Sequence, residues 1–296
     1  MSAVKPLLDH VLHALSPTRP LFLAVQGPQG SGKSYLSALL VNELRSRELQ
    51  VALFSLDDIY LPHADLVSLS ETHPDNSLWR GRGQPGTHDI SLGLQVLSQL
   101  KDGKPVEIPR FDKSLFGGEG DRVPPGSEGA VKVTGPVDVV IFEGWCVGFY
   151  PISSTELDSR WDGAWAKERV RLGIAEFVSK EDVIQVNEAL KNYIPLWNFF
   201  DTFAQLEPCS PNEDRSPLSV IYTWRLQQEH HMKAQNGGKG MTDAGVKAFV
   251  DRYMPGYVFF GDGPKIGFDS QQPRWIGKSL RITIDDSRIV VRTEPL

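Results

Sequence analysis

Residues 21–34 read "LFLAVQGPQGSGKS", and this run restricts the fold of the chain more than any other. Six residues dominated by Leu, Phe, Ala and Val fit a strand buried on both faces. Residues 27–34 then match the spacing G-x-x-x-x-G-K-[ST], and Leu36, Leu39, Leu40 and Leu44 follow at helical spacing. In a strand–turn–helix of this kind, glycines let backbone N–H groups turn inward. The positive end of the helix adds to them, and the result is an anion cradle. With glycine near 7% of average composition, a chance match in such a chain is on the order of one per cent. Gly27, Pro28, Gln29, Gly30, Ser31, Gly32, Lys33 and Ser34, with Tyr35 beside them, are expected to hold the phosphates of a nucleoside triphosphate. Lys33 would reach the β and γ phosphates, and the Ser34 hydroxyl would ligate Mg²⁺.

"VALFSL" (51–56) completes a βαβ unit, whose crossover is right-handed, and "VDVVIF" (137–142) adds a third buried strand. The expected class is α/β: a three-layer α/β/α P-loop NTPase fold with a central, mainly parallel sheet and a helical lid. Asp89 can cap a helix that runs to Lys101 and stops at Gly103, and Ser179 with Asp182 reads as a capping box. "VIYTW" (220–224) reads as a further strand feeding the polar stretch "RLQQEHHMKAQNGGKGMTD". A return helix from Thr242 carries Val246, Phe249, Val250 and Tyr253 on one face, so this region reads as a mobile flap. "LRITIDDSRIVVR" reads as a terminal hairpin. The 296 residues are read as one domain, with its core at about 18–145 and 215–296, substrate loops at about 60–130 and the lid at about 223–254.

A net charge of −6 argues against binding nucleic acid by general phosphate neutralisation, although a small phosphorylated ligand needs only local cations. Two cysteines, Cys146 and Cys209, suit a reducing compartment. No apolar run reaches membrane-spanning length and the first residues form no signal peptide, so a cytoplasmic setting is expected, with nothing in the chain against a nuclear one. The adjacent His230 and His231 form no zinc pattern.

A phosphate loop serves switch GTPases, motor ATPases and small-molecule kinases alike. The chain has no N-K-x-D guanine-reading motif, and its third strand ends in a single acid, Glu143, placed to help hold magnesium. That combination favours a kinase. Asp57 and Asp58 end the second strand, where ligands of doubly wound sheets gather, and a carboxylate there can accept the proton of an attacking hydroxyl.

Taken together, "GPQGSGKS", "SLDDIYL", "RGQPGTHD", "PRFDKS…GGEGDR", "FEGW" and "WRLQQEH" resemble the D-glycerate 3-kinase family, including its fungal ATP-dependent kinase branch. That family sits within the phosphoribulokinase, uridine kinase and pantothenate kinase set of P-loop kinases. The resemblance spans roughly residues 20–260. It implies Asp57 as catalytic base, Asp58 as a structural or outer-sphere magnesium partner, and Tyr60 in the acceptor pocket, preceded by Ile59 where phenylalanine is commoner in the pattern. D-glycerate carries a carboxylate and two hydroxyls. Arg82, Arg110, Lys113 and Arg122 suit the first, and His88 and Asp89 the second. Arg80 lies in the same loop. From the flap, Arg225, Lys233 and Lys239 could close on the transferring phosphate, with Arg225 preferred because it starts the flap.

The expected activity is therefore transfer of the γ-phosphate of ATP, with Mg²⁺, to a hydroxyl of D-glycerate. Lys33, Asp57 and Arg225 would be catalytic, and Ser34, Glu143 and Asp58 would sit around the metal. Another acceptor, such as a nucleoside, pantothenate or a sugar phosphate, and a binding-only ATP regulator are the alternatives. The expected partners are ATP and the small-molecule acceptor, without nucleic acid or membrane, in a monomer or weak dimer.

Overall fold

A computed structural model describes residues 3–16, 20–209, 215–235, 237–238, 240–268 and 272–296. Six strands form one sheet: β1 (Leu21–Gln26), β2 (Val51–Ser55), β3 (Val139–Gly144), β4 (Thr202–Pro208), β5 (Ser279–Ile284) and β6 (Val290–Pro295). Their order across the sheet is β6-β5-β4-β1-β3-β2, and every pairing is parallel except β5 with β6. The terminal hairpin is thus the antiparallel end of a parallel sheet.

Alternation along the strands explains the three layers. Leu21, Leu23 and Val25 of β1, with Val139 and Ile141 of β3, face the helices α1 (Val4–Ala14) and α2 (Lys33–Arg45). Phe22, Ala24, Val140 and Phe142 point the other way, into the larger core built around α3 (Ile90–Lys101) and the helices of residues 154–197. Both faces are buried, which is why these strands read as unbroken apolar runs. Asp89 caps α3 by accepting from Leu92 N at 3.0 Å. The capping box of Ser179 and Asp182 is formed as well.

Two elements differ from the sequence reading. Residues 220–224 are helical, inside α4 (Ser219–Gln235). The apolar residues Val220, Ile221 and Trp224 fall on one helical face and are buried there, so their spacing outweighs the β-branched composition. The additional sheet member is β4, whose "TFAQLEP" carries no clear strand signal. The helix α5 (Asp243–Asp251) does start at a Thr242 cap, so α4 and α5 make the expected hairpin.

Candidate active site

Because β1, β2 and β3 run parallel, their carboxyl ends meet at one edge of the sheet, with Glu143 in register with Val25 and Ser55. Beyond β1 the chain turns through Gly30 (φ 74°) and Gly32 (φ 87°), the left-handed region that favours glycine. Gly32 is the N-cap of α2. No side chain caps it and no acid occupies the first turn, so the orphan amides and the helix dipole face an open cleft. The loop is braced from outside: Arg288 Nε donates to Gly30 O at 2.6 Å, and Gln29 N donates to the Tyr257 hydroxyl at 3.1 Å.

Ser34 Oγ donates to Glu143 Oε1 at 2.9 Å. Glu143 is buried, and its other oxygen has no hydrogen-bond partner. A hydroxyl and a half-satisfied carboxylate beside a phosphate cradle form the hard-oxygen donor set that suits Mg²⁺.

The two aspartates part company at the end of β2. Ser55 caps a short 3-10 turn, Leu56–Ile59, in which its hydroxyl accepts from Asp57 N and Asp58 Oδ2 accepts from Ser55 N, each at 3.2 Å. Asp58 therefore turns back on its own backbone while Asp57 enters the cleft, where it is ion-paired with Lys113. Burial opposes the charge on Asp57, but Lys113 and Lys33 overcome it and hold the carboxyl below the usual carboxylate range. The partnership in turn raises Lys113. Asp58 behaves in the opposite way: burial, with the charges of Asp57 and Glu143, pushes it up to about 7.

This shift has a measurable sign. Between the model-peptide carboxyl value near 4 and about 7 the folded state holds a proton on Asp58 that the unfolded state releases, so stability falls as pH rises through that window. Asp58→Asn keeps the cap acceptor and removes the charge. In metal-free buffer it should match the parent near pH 4 and exceed it by about 2–4 kcal/mol above pH 7, read from urea unfolding. An equal difference at both pH values would contradict a buried, uncompensated Asp58.

The cleft has a volume of about 490 Å³. Gly30, Gly32, Lys33, Ser34 and Tyr35 form its phosphate side, and Asp57, Tyr60, Arg82 and Lys113 its opposite side. Arg225, Gln228, Phe249, Tyr253 and Arg288 complete the lining. Tyr60 is buried and stacks on His88 with centroids 4.5 Å apart. His88 Nδ1 shares a hydrogen bond of 2.7 Å with the Tyr193 hydroxyl, and burial pushes the ring down to about 3, so it is neutral. Its Nε2 has no partner. Arg82 holds Gly118 O at 2.8 Å and the carbonyl of Glu119, and lies over the ring of Phe111.

Other expected substrate residues are engaged elsewhere. Asp89 is occupied as helix cap and by Arg122 at 3.1 Å, while Arg122 also donates to Tyr60 O at 2.8 Å. Arg110 binds the carbonyl of Gly129 at 3.2 Å, and Arg80 that of Pro74. None of these four lines the cleft. Lys233 is not part of the lining either, and Lys239 lies outside the described residues. His230 pairs with Asp243 at 2.8 Å, tying α4 to α5. Arg288 escaped the sequence reading, since it lies in a hairpin turn 258 residues from the glycine it contacts. Its left-handed backbone, at φ 63°, belongs to the fold and has no counterpart in the sequence pattern.

An uncapped glycine turn after β1, a hydroxyl and carboxylate at its end, and a second carboxylate across the same cleft define a P-loop kinase. No family model matches the sequence. The chain is similar to the solved D-glycerate 3-kinase of Cryptococcus neoformans, at 41% identity over all of both chains and a TM-score of 0.86. It is also similar to the probable ATP-dependent kinase TDA10 of Saccharomyces cerevisiae, at 38% identity over 81% of this chain and 78% of that one. With the chloroplastic D-glycerate 3-kinase of Arabidopsis thaliana it shares 31% identity over 91% of this chain and 53% of the plant protein. The chain belongs to the D-glycerate 3-kinase family, in its fungal ATP-dependent branch. It is an ATP-dependent phosphotransferase. Among the described residues no helix is long and apolar enough to cross a membrane.

Proposed function

We propose that the chain transfers the γ-phosphate of ATP to a hydroxyl of D-glycerate. The observation that carries this reading is the arrangement of Asp57: a cleft-facing carboxylate opposite Lys33, neutralised by the loop cation Lys113, with Arg82 in the same wall. A carboxylate-bearing acceptor offers Lys113 and Arg82 an anion of its own. As Lys113 shifts toward it, Asp57 is released to accept a hydrogen bond from the acceptor hydroxyl. Losing that cation also lets the Asp57 pKa rise, so the base becomes stronger once substrate is in place.

The remaining residues divide the work. The loop amides and Lys33 orient the triphosphate, and Arg225 stabilises charge on the transferring group while the α4–α5 hairpin covers the cleft as a lid. Tyr60, resting on neutral His88, shapes the acceptor pocket, and Asp89, Arg110 and Arg122 brace the loops that carry Arg82 and Lys113. Ser34 and Glu143, with Asp58 behind them, would hold Mg²⁺, which when bound neutralises phosphate charge. The similarity to D-glycerate 3-kinases supports the acceptor.

ADP release with Mg-ATP is the test, run with D-glycerate, L-glycerate, uridine, pantothenate and ribulose 5-phosphate in turn. D-glycerate should stimulate release at least tenfold more than uridine or pantothenate. Stimulation by uridine alone would exclude the proposed acceptor, and none from any compound would favour a binding-only protein.

A further inference from the structure

Arg225 reaches the cleft from the first turns of a long helix, and what sets its position is one turn further on. Glu229 is 1% exposed, the most deeply buried carboxylate side chain in the lid, and it stands 3.0 Å from Arg225 Nη2. Its two oxygens do different things. Oε1 accepts from Met241 N at 2.8 Å, on the return arm of the hairpin. Oε2 faces the guanidinium without forming a directed hydrogen bond. Gly240 lies against Oε1 so closely that a Cβ there has no room, and it has φ 152°. The carboxylate is thus clamped by the far arm of the lid and presents charge, rather than a fixed fork, to Arg225. On its other side the guanidinium lies over the ring of Phe249 at 5.3 Å, from α5.

Resting on the role proposed above for Arg225, we propose that Glu229 is a positioning residue. It holds the Arg225 guanidinium at the cleft by charge while leaving its N–H donors free for the transferring phosphate, and it couples that placement to closure of the hairpin through Met241. An isolated buried carboxylate is costly, and the single amide of Met241 satisfies only one of its oxygens, so the cation beside the other oxygen, Arg225, is what offsets the buried charge.

Glu229→Gln removes the charge and keeps an acceptor for Met241 N, so the hairpin fold is preserved. The test is a double-mutant cycle of Glu229→Gln with Arg225→Ala. Turnover is measured as ADP release with Mg-ATP and D-glycerate and, independently of any acceptor, as slow ATP hydrolysis by water. ATP affinity and melting temperature are recorded alongside. Arg225→Ala should lower turnover about 100-fold. Glu229→Gln should lower it about tenfold with ATP affinity within about threefold, and should cost less than twofold more in the Arg225→Ala background. A Glu229→Gln loss that persists at full size without Arg225 would overturn the positioning role. So would Glu229→Gln with unchanged turnover. An unchanged Arg225→Ala enzyme would instead refute the role of Arg225 itself, so the two failures are separable.

Discussion

Asp57→Asn should lower acceptor-dependent turnover by about 10²–10⁴-fold while ATP affinity stays within a few-fold of the parent. The substitution is isosteric and the side chain is about 30% exposed in an open cleft, so little packing is lost. What disappears is the partner of Lys113 and, on the proposed mechanism, the acceptor for the hydroxyl proton. A freed Lys113 remains cationic beside the phosphate side, and ATP binding should hold or tighten slightly. Asp58→Asn is the control. Its carboxylate serves Ser55 N and takes no place in the cleft lining, so its turnover should fall far less. The reverse ranking of the two variants would show that the base has been assigned to the wrong carboxylate.

Gly30→Ala should be the most damaging change in the phosphate loop. A Cβ at Gly30 would sit 2.6 Å from Trp224 Cβ and 3.0 Å from its carbonyl carbon, and the residue would also have to hold φ 74°. Trp224 cannot yield: it is fully buried, its Nε1 donates to Asp286 O at 2.7 Å, and Arg288 packs across its ring. The loop must therefore move away from α4, which also breaks the bond from Arg288 to Gly30 O. Strain and overpacking together should cost about 2–4 kcal/mol. Misplaced amides should weaken ATP binding at least about 100-fold, since several charge-assisted hydrogen bonds are lost together. Gly117→Ala separates the two causes, because that glycine is also left-handed, at φ 67°, but has open space around its Cβ position. It should lose only about 1–2 kcal/mol and retain ATP affinity. Similar losses in both variants would mean that backbone strain, and not the contact with Trp224, governs the loop.

The parts of this site that the sequence displays are those whose chemistry is local. A phosphate cradle needs its glycines, lysine and hydroxyl within eight consecutive residues, and a doubly buried strand needs an apolar run, so both can be read directly. The capping box that separates Asp58 from Asp57 is equally local, yet the resemblance of "SLDDIYL" to a family pattern was needed to rank the pair. Contacts across the chain are another matter. Lys113 meets Asp57 over 56 residues and Arg288 meets Gly30 over 258, and no spacing rule links them. Arg122 and Asp89 look like free polar groups in glycine-rich loops until folding pairs them with each other. β4 was hidden for a related reason. Thr202 and Gln205 are polar but buried, Thr202 meeting His10 Nε2 at 2.7 Å, so the strand lacks an apolar pattern. In "VIYTW" the composition favours a strand, and only the burial of one helical face reveals the helix.

The lid shows how such distant contacts add function to a local motif. The phosphate loop alone would bind a nucleotide. Trp224 packs beneath Gly30, and Arg225, the next residue, enters the cleft, so one turn of α4 both supports the loop and supplies a cation to it. The terminal hairpin closes the same arrangement through Arg288, whose Nη1 also donates to Gln227 at 3.1 Å. Loop, lid base and terminal hairpin are therefore joined by direct contacts.

The most direct measurement is phosphorus NMR of the protein with Mg-ATP and D-glycerate, run beside Asp57→Asn. With the parent, the γ-phosphate resonance should be replaced by that of a phosphate monoester in step with ADP, and Asp57→Asn should leave the spectrum unchanged over the same time. Release of inorganic phosphate without monoester, or equal monoester formation by Asp57→Asn, would contradict direct transfer to an acceptor hydroxyl held by Asp57.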